Sequence, residues 1–441
     1  KFGFDGLVMS DWGAVNNRVK AVEAGLDLEM PSCNGVTDKQ VVKAVQNGEL
    51  EEKYFDKAVQ NVLNLVDKYK YINDIRVCFD EKEHYALAKE IAENSAVLMK
   101  NEDNVLPLKA EEKVLVVGDM AKISRFQGGG SSHITPFFET SLTDGLDKLG
   151  VQYDYLDGYH KKYNNDNSDL IEKIKKVAAN YDKIVLCVGL PDNIEVEGLD
   201  RKHINLPVMH DKLVSGIASI HKKVVVVLFT GSCVELPWRN QVSGLLNMYL
   251  AGSGSGEACA NILYGKVNPS GRLAESYPIK LEDCNSFNNF YYDSDRTYYS
   301  DSIYVGYRYY DISNTKVAYP FGYGLSYTTF EYSDIEIEDE FDIEKGGKLN
   351  ITIKNTGNTD GKEVVQVYIG KKDSKYLRPI KELKAFTKIS VKANESASVT
   401  IVLNRHNFEI YDINLQDYVV ESGEYQIYIC KNSEEIIKTL S

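Results

Sequence analysis

The apolar positions of this chain fall into three successive textures. Residues 6–10, Gly-Leu-Val-Met-Ser, form a short apolar run with neither helical nor alternating period, the pattern of a strand buried on both faces of a parallel sheet. A helical stretch follows to about Ala24, and residues 25–31 make a second short strand that stops at Pro31. Strand, helix, strand is one parallel unit. Helices are predicted over 37–47 and 51–69, the second carrying Phe55, Val59, Val62 and Val66 at helical spacing. Two strands cannot close a barrel. Residues 1–73 therefore read as the C-terminal remnant of a (β/α) barrel whose other strands would lie upstream. The chain opens on Lys1, a few residues before a predicted strand, so it is expected to be a piece of a longer protein that has lost its N-terminal part, and the absence of a signal peptide carries no weight.

A second texture begins with a predicted helix over 82–100. Uninterrupted, mostly β-branched runs at 113–118, 151–156, 184–188, 224–229 and 245–250 alternate with helical patterns near 141–149, 168–179, 208–220 and 255–264. Such alternation is the signature of an α/β domain with helices on both faces of its sheet, here residues 74–326 including a Tyr-rich linker. From about 330 the runs at 347–354, 363–369, 396–403 and 423–430 alternate apolar with polar residues, separated by turn signals such as Asp360-Gly361 and Ser422-Gly423. No helix is predicted between them, so residues 327–441 read as an immunoglobulin-like β-sandwich. The fold class is α/β plus all-β.

Composition narrows the functions available. A net charge of −14 over 441 residues argues against nucleic acid and anionic membrane as partners, and no run approaches the ~20 apolar residues of a membrane span. The seven cysteines are scattered without metal-type spacing. They read as small core residues, not as disulfides or ligands, and lean towards a reducing cytoplasm, although a lost N-terminus leaves secretion open. No cofactor or metal is expected, and a homodimer is left open. Of thirty tyrosines many crowd between Tyr291 and Tyr332, which suits packing at a domain interface. A linker around 284–302, rich in Tyr and Asn, is a compositional candidate for the aglycone side of a sugar site.

Three stretches carry candidate chemistry. Asp11 and Trp12 stand where the first predicted strand stops, the end at which barrel enzymes place their reacting groups. A carboxylate beside an indole is what a sugar site needs, a charge for a developing positive centre and an aromatic face for the ring's C–H surface. The plain alternative is that Asp11 caps the helix starting near Val15. The second stretch, residues 125–133, runs Arg-Phe-Gln-Gly-Gly-Gly-Ser-Ser-His after a predicted strand. Its glycines permit close approach of backbone N–H groups to a ligand, but it lacks both the Lys of a phosphate loop and the spacing of a dinucleotide fingerprint. The third, residues 189–201, brings Glu195, Glu197, Asp200 and Arg201 together on one loop. By itself it reads as a solvated surface, or as a site in which neighbouring charge keeps one carboxyl protonated.

Together these stretches resemble glycoside hydrolase family 3, in its β-glucosidase-like branch. The resemblance rests on the order Ser-Asp-Trp-Gly-Ala, Gly-Leu-Asp-Leu-Glu-Met-Pro, Gln-Gly-Gly-Gly-Ser-Ser, Glu-Val-Glu-Gly-Leu-Asp-Arg, Asn-Pro-Ser-Gly-Arg-Leu at 268–273 and Tyr-Pro-Phe-Gly-Tyr-Gly at 319–324. It runs on through a tail similar to that family's fibronectin-III-like domain, and so covers essentially the whole chain. It implies a barrel, an α/β sandwich and a fibronectin-like domain in that order, with the active site between the first two. It further implies that Asp11 is the nucleophile and Glu197 the acid/base, with Glu195 the fallback. Trp12 would face the sugar, Ser131 and Ser132 would reach the same pocket, and Arg125 is counted with the substrate-binding residues.

The chemistry agrees with this. A retaining glycosidase pairs an ionised carboxylate with a protonated one about 5–5.5 Å away, and Glu195 and Asp200 place like charge beside Glu197. The resemblance implies a retaining, exo-acting β-glucosidase acting on small or oligosaccharide β-glucosides, although without the upstream strands the chain as given is expected to hydrolyse little. A β-xylosidase or related exo-glycosidase is the alternative within the family. From another class, a non-catalytic carbohydrate-binding or interaction module is the alternative.

Overall fold

The computed structural model describes residues 3–70, 79–159, 166–290, 296–338 and 341–441. The chain divides into two compact units, Lys1–Phe79 and Asp80–Ser441.

In the first unit, helices α1 (Arg18–Ala24), α2 (Val36–Gln46) and α3 (Glu52–Tyr69) follow the predicted pattern. Val22, Val41, Ala44 and Leu50 form their small common core. The two predicted strands are present only as extended segments joined by one parallel bridge, Met9 to Leu28. Backbone bonds from Ser10 N–H to Leu28 O (2.9 Å) and from Leu28 N–H to Val8 O (3.2 Å) hold them side by side. The buried carboxylate of Asp27 fixes this pair to α3, accepting from the Val8 N–H at 2.8 Å and from the Asn61 amide at 3.0 Å. Burial on both faces, expected from the apolar run, does not hold here. Val8 is 41% and Met9 55% exposed, because nothing among the described residues of this unit covers them.

The second unit opens with α4 (Glu81–Ser95), capped by Asp80, whose carboxylate accepts from the N–H groups of Lys82 and Glu83. The helix predicted to run to residue 100 stops at Ser95, and the next residues are a strand, β1 (Val97–Asn101). The other strands of this sheet are β2 (Val114–Val117), β3 (Tyr153–Leu156), β4 (Lys183–Gly189), β5 (Val224–Phe229) and β6 (Gly244–Asn247). Their order is β1-β6-β5-β4-β2-β3, parallel throughout except for β1, which runs antiparallel to β6. The strands β2, β4, β5 and β6 are buried along their whole length, which is why their sequences read as continuous apolar runs. Helices α5 (Leu142–Leu149), α6 (Ser168–Val177) and α7 (Val208–Ala218) connect β2 to β3, β3 to β4 and β4 to β5, and α8 (Ser255–Leu263) follows β6. Gly145 and Gly256 let α5 and α8 touch backbone to backbone, for a Cβ on Gly145 would lie 2.6 Å from the Gly256 carbonyl oxygen.

A short antiparallel pair, β7 (Tyr277–Pro278) and β8 (Val317–Tyr319), and helix α9 (Tyr307–Ser313) between them in sequence lead into the sandwich. One of its sheets is formed by β9 (Phe330–Ile337), β10 (Gly347–Asn355) and β13 (Ser396–Leu403). The other is formed by β11 (Gly361–Gly370), β12 (Glu382–Val391), β16 (Gln426–Cys430) and β17 (Ile436–Leu440), and β14 (Ile410–Asp412) with β15 (Asp417–Val419) make a separate hairpin. Alternate residues Leu349, Ile351 and Ile353 meet Val365, Val367, Ile427 and Ile429 in its core. The sandwich is joined to the α/β part by buried polar bonds. Arg272 pairs with Glu363 at 3.0 Å, and the Gln366 amide donates to the Gly322 carbonyl at 2.9 Å. The tyrosine-rich region serves this joint, as its crowding suggested. Tyr307 stacks on Phe321 at 4.7 Å, meets Tyr368 edge-on at 5.8 Å, and its hydroxyl accepts from the Leu383 N–H at 2.8 Å. Residues 291–295 of the linker considered for the aglycone side lie outside the described residues.

Candidate active site

Two sets of candidate residues stand on the two units, and each set has its own geometry. In the first unit, Asp11 lies just beyond the Met9–Leu28 bridge. Ser10 fixes this point, its hydroxyl accepting from the Met30 N–H at 2.8 Å, and the Gly13 N–H donates to the Met30 carbonyl at 2.9 Å. Asp11 does not cap helix α1, because that place is taken by Asn17, whose side chain accepts from the Lys20 N–H at 3.0 Å. The carboxylate of Asp11 accepts only from the Trp12 N–H, at 2.6 Å, among the described residues, and is exposed. Trp12 is 71% exposed. The pair is thus displayed and not packed.

The second set gathers at the carboxyl ends of β2, β4 and β5, where loops leave a parallel sheet and ligands are commonly bound. The glycine stretch and the acidic loop meet in a strand-like contact. Gly129 bridges Val196 in parallel, with Gly129 N–H to Glu195 O and Glu197 N–H to Gly129 O, both at 3.4 Å. This close approach requires glycine, since a Cβ at Gly129 would lie 2.8 Å from the Asp192 carbonyl and one at Gly130 would lie 2.6 Å from Glu197 Cβ. Held there, the exposed Glu197 carboxylate accepts from the Ser131 N–H at 2.8 Å through Oε2, while Oε1 has no protein donor among the described residues. Ser131 therefore reaches Glu197 through its backbone. The Ser132 hydroxyl, also exposed, makes one long bond, to the Gly129 carbonyl at 3.4 Å.

Glu195, two residues before, is differently placed. Its Oε2 accepts from the Gly231 N–H at 2.9 Å, its Oε1 from the Ser232 hydroxyl at 2.8 Å, and Arg125 Nη2 lies 3.6 Å from Oε2. Only 16% of its side chain is exposed. Both oxygens are engaged by the protein, so Glu195 is the weaker candidate for proton transfer to a ligand. The like charge expected beside Glu197 is in addition matched by this guanidinium.

Arg125, counted from sequence among the substrate-binding residues, is buried and turned towards the protein. Nε donates to the Leu190 carbonyl at 2.7 Å, Nη2 to the Glu195 carbonyl at 3.2 Å, and Nη1 to the Gln127 carbonyl. An Arg with its three nitrogens bonded to backbone carbonyls holds loops together; it does not present a charge to a ligand. Gly231 and Ser232 escaped the sequence reading, since nothing near them marks a site. A cavity of about 340 Å³ beside the glycine loop is lined by Asp119, Gln127, His133 and Asp192, among others. A wider cleft of about 900 Å³ is lined by Ser232 and Glu275 from the α/β part and Gln366 and Phe386 from the sandwich.

Comparison with known proteins shows which families the chain resembles. The profile of the glycosyl hydrolase family 3 C-terminal domain matches residues 96–327, and that of a fibronectin type III-like domain matches residues 363–433. Thermostable beta-glucosidase B of Acetivibrio thermocellus is 42% identical over 438 residues, covering 98% of this chain and 58% of the relative. An exo-alpha-(1->6)-L-arabinopyranosidase of Bifidobacterium breve is 37% identical over 452 residues, covering 100% of this chain and 59% of the relative. Among solved structures, a Bifidobacterium adolescentis GH3 beta-glucosidase superposes with a TM-score of 0.91 at 36% identity, over 99% of this chain and 64% of that one. The chain spans about three fifths of the length of the curated relatives it matches.

Proposed function

Because the chain belongs to glycosyl hydrolase family 3, we propose that it serves a retaining, exo-acting β-glucosidase that removes terminal β-D-glucosyl residues. On this reading residues 1–73 are the C-terminal end of a (β/α) barrel, 74–326 an α/β sandwich domain and 327–441 a fibronectin-like domain. The Asp11 carboxylate attacks the anomeric carbon. As the new C–O bond forms, the glycosidic bond breaks and the Glu197 carboxyl gives its proton to the departing oxygen. In the second half the Glu197 carboxylate takes a proton from water, whose oxygen displaces Asp11 from the sugar. Trp12 offers its ring to the glucosyl unit, and Ser131 and Ser132 border the acid/base.

The observation that carries this reading is the difference between two neighbouring carboxylates. Glu197 is exposed and keeps an oxygen without a protein donor among the described residues, whereas both oxygens of Glu195 are engaged. The test is Glu197→Ala in the full-length gene product. Hydrolysis of alkyl β-glucosides, which need a proton on the leaving oxygen, should fall by roughly 10²–10⁴-fold. A dinitrophenyl glucoside should lose far less in its first step, and azide should restore turnover by giving the β-glucosyl azide. Equal losses on both substrates, with no effect of azide, would remove Glu197 from the role.

The second reading is an exo-glycosidase acting on pentopyranosides, β-xylosides included. The relatives named exo-alpha-(1->6)-L-arabinopyranosidase, at 37% identity, favour it. Comparing aryl β-glucoside, β-xyloside and α-L-arabinopyranoside as substrates separates the two.

A further inference from the structure

Arg125 and Glu195 form a single tie between three loops that the sheet topology brings to one edge. From the loop after β2 come Arg125 and the Gln127 carbonyl. From the loop after β4 come the Leu190 carbonyl and Glu195. From the turn after β5 come Gly231 and Ser232. Every contact within this tie is a hydrogen bond or ion pair between protein groups, and the pair is largely shielded from water, with 9% of the Arg125 and 16% of the Glu195 side chain exposed. The charges are thereby matched and the polar atoms bonded, as a buried pair must be to persist. The tie also stands one residue from the strand-like contact at Gly129 and Val196 that places Glu197 against the Ser131 N–H.

We propose that Glu195 and Arg125 are positioning residues for Glu197, and that the tie extends through Glu195 to Gly231 and Ser232, so that the turn after β5 shares in setting the acid/base. The inference rests on the assignment of Glu197 made above and deepens it. It gives the two acidic residues of the Glu-Val-Glu sequence different tasks, one structural in its bonds and one facing the substrate. A carboxylate is needed at 195 because two donors and a guanidinium converge on it. Glutamine can accept from the Gly231 N–H and donate its amide to the Ser232 hydroxyl oxygen in place of accepting from it, but cannot match the charge of Arg125.

The experiment has two arms. In the 441-residue chain, hydrogen exchange read by mass spectrometry should show Glu195→Ala raising exchange in peptides from 125–133, 190–201 and 231–233 together, with Glu195→Gln in between and Glu197→Ala leaving 231–233 as it was. In the full-length gene product, Glu195→Ala should copy Glu197→Ala in part, lowering kcat on alkyl glucosides by roughly 10²-fold with a smaller loss in the first step on a dinitrophenyl glucoside. Glu195→Gln should recover part of that loss, and Ser232→Ala, a milder cut, should cause a smaller fall of the same kind. Unchanged exchange at 231–233 in Glu195→Ala would overturn the tie. Azide rescue of Glu195→Ala, with glucosyl azide as product, while Glu197→Ala keeps its activity on alkyl glucosides, would show that Glu195 is itself the acid/base; equal losses on alkyl and dinitrophenyl glucosides would show that Glu195 does not act through Glu197. Exchange is measured whatever the protein hydrolyses, so failure of the β-glucosidase reading leaves the first arm standing.

Discussion

The Ser131 N–H donates to Glu197 Oε2 across 2.8 Å, although 65 residues of chain intervene between them. That bond depends on Gly130, the last glycine of the stretch, which packs against Glu197 with a backbone φ of +87°. Much of what the molecule is expected to do follows from how that contact is held.

Gly130→Ala tests the contact from its other side. The new Cβ would sit 2.6 Å from Glu197 Cβ and 3.2 Å from its backbone nitrogen, and an L side chain in the left-handed region costs roughly 1–2 kcal/mol. The variant should stay folded by circular dichroism while hydrolysis in the full-length gene product falls by about 10²-fold. Gly128→Ala is the control, for its nearest neighbour is the rotatable Ser132 hydroxyl at 3.3 Å, and it should behave much as the wild type does.

The Arg272–Glu363 pair should matter for stability and not for chemistry. At 3.0 Å, with 10% and 6% of the side chains exposed, and with the Tyr332 hydroxyl donating to the same carboxylate at 2.9 Å, it is a desolvated pair at the joint between the α/β part and the sandwich. Arg272→Met leaves that carboxylate buried without its cation and should cost about 3–5 kcal/mol in urea unfolding. Pairing it with Glu363→Leu should recover much of the loss.

Acid should weaken the fold partly through His210. Burial holds its imidazole neutral and lowers its pKa to about 3, against the backbone N–H of Gly189, which donates to Nδ1 at 3.3 Å. Between about pH 3 and the ordinary histidine value near 6.5, the unfolded chain takes up a proton that the folded chain refuses. The stability from this source is therefore complete above pH 6.5 and is lost progressively as the pH falls towards 3. Urea unfolding at pH 7 and pH 4.5 should show the wild type losing roughly 2–3 kcal/mol more than His210→Gln; parallel losses would contradict this.

The sequence carried the fold well where burial is uniform, as in β4 and β5, whose residues are apolar without interruption because both faces are covered. It misread residues 96–100 as the end of a helix. Val97 and Leu98 continue the apolar spacing of α4, and the change to a strand at the antiparallel edge of the sheet is fixed by pairing with β6 far along the chain. β12 was missed because Val391 alone among its residues is fully buried and three of the others are exposed. At the site, the motifs pointed to two loops, the glycine stretch and the acidic stretch, that the structure brings into contact at Gly129 and Val196. Whether Glu195 or Glu197 faces outward is decided by donors at Gly231 and Ser232, more than thirty residues away, and Arg125 is turned inward by the Leu190 and Glu195 carbonyls on the loop after β4. Such long-range bonds leave no local mark in the sequence.

The central claim, that Asp11 is the nucleophile of a retaining β-glucosidase, is tested most directly by trapping. The full-length gene product is treated with 2-deoxy-2-fluoro-β-D-glucosyl fluoride, digested, and its peptides are weighed. The account predicts time-dependent inactivation and a single fluoroglucosyl group on the peptide containing Asp11, absent in Asp11→Asn. A label on another carboxylate, or binding of simple β-glucosides with neither labelling nor loss of activity, would contradict it.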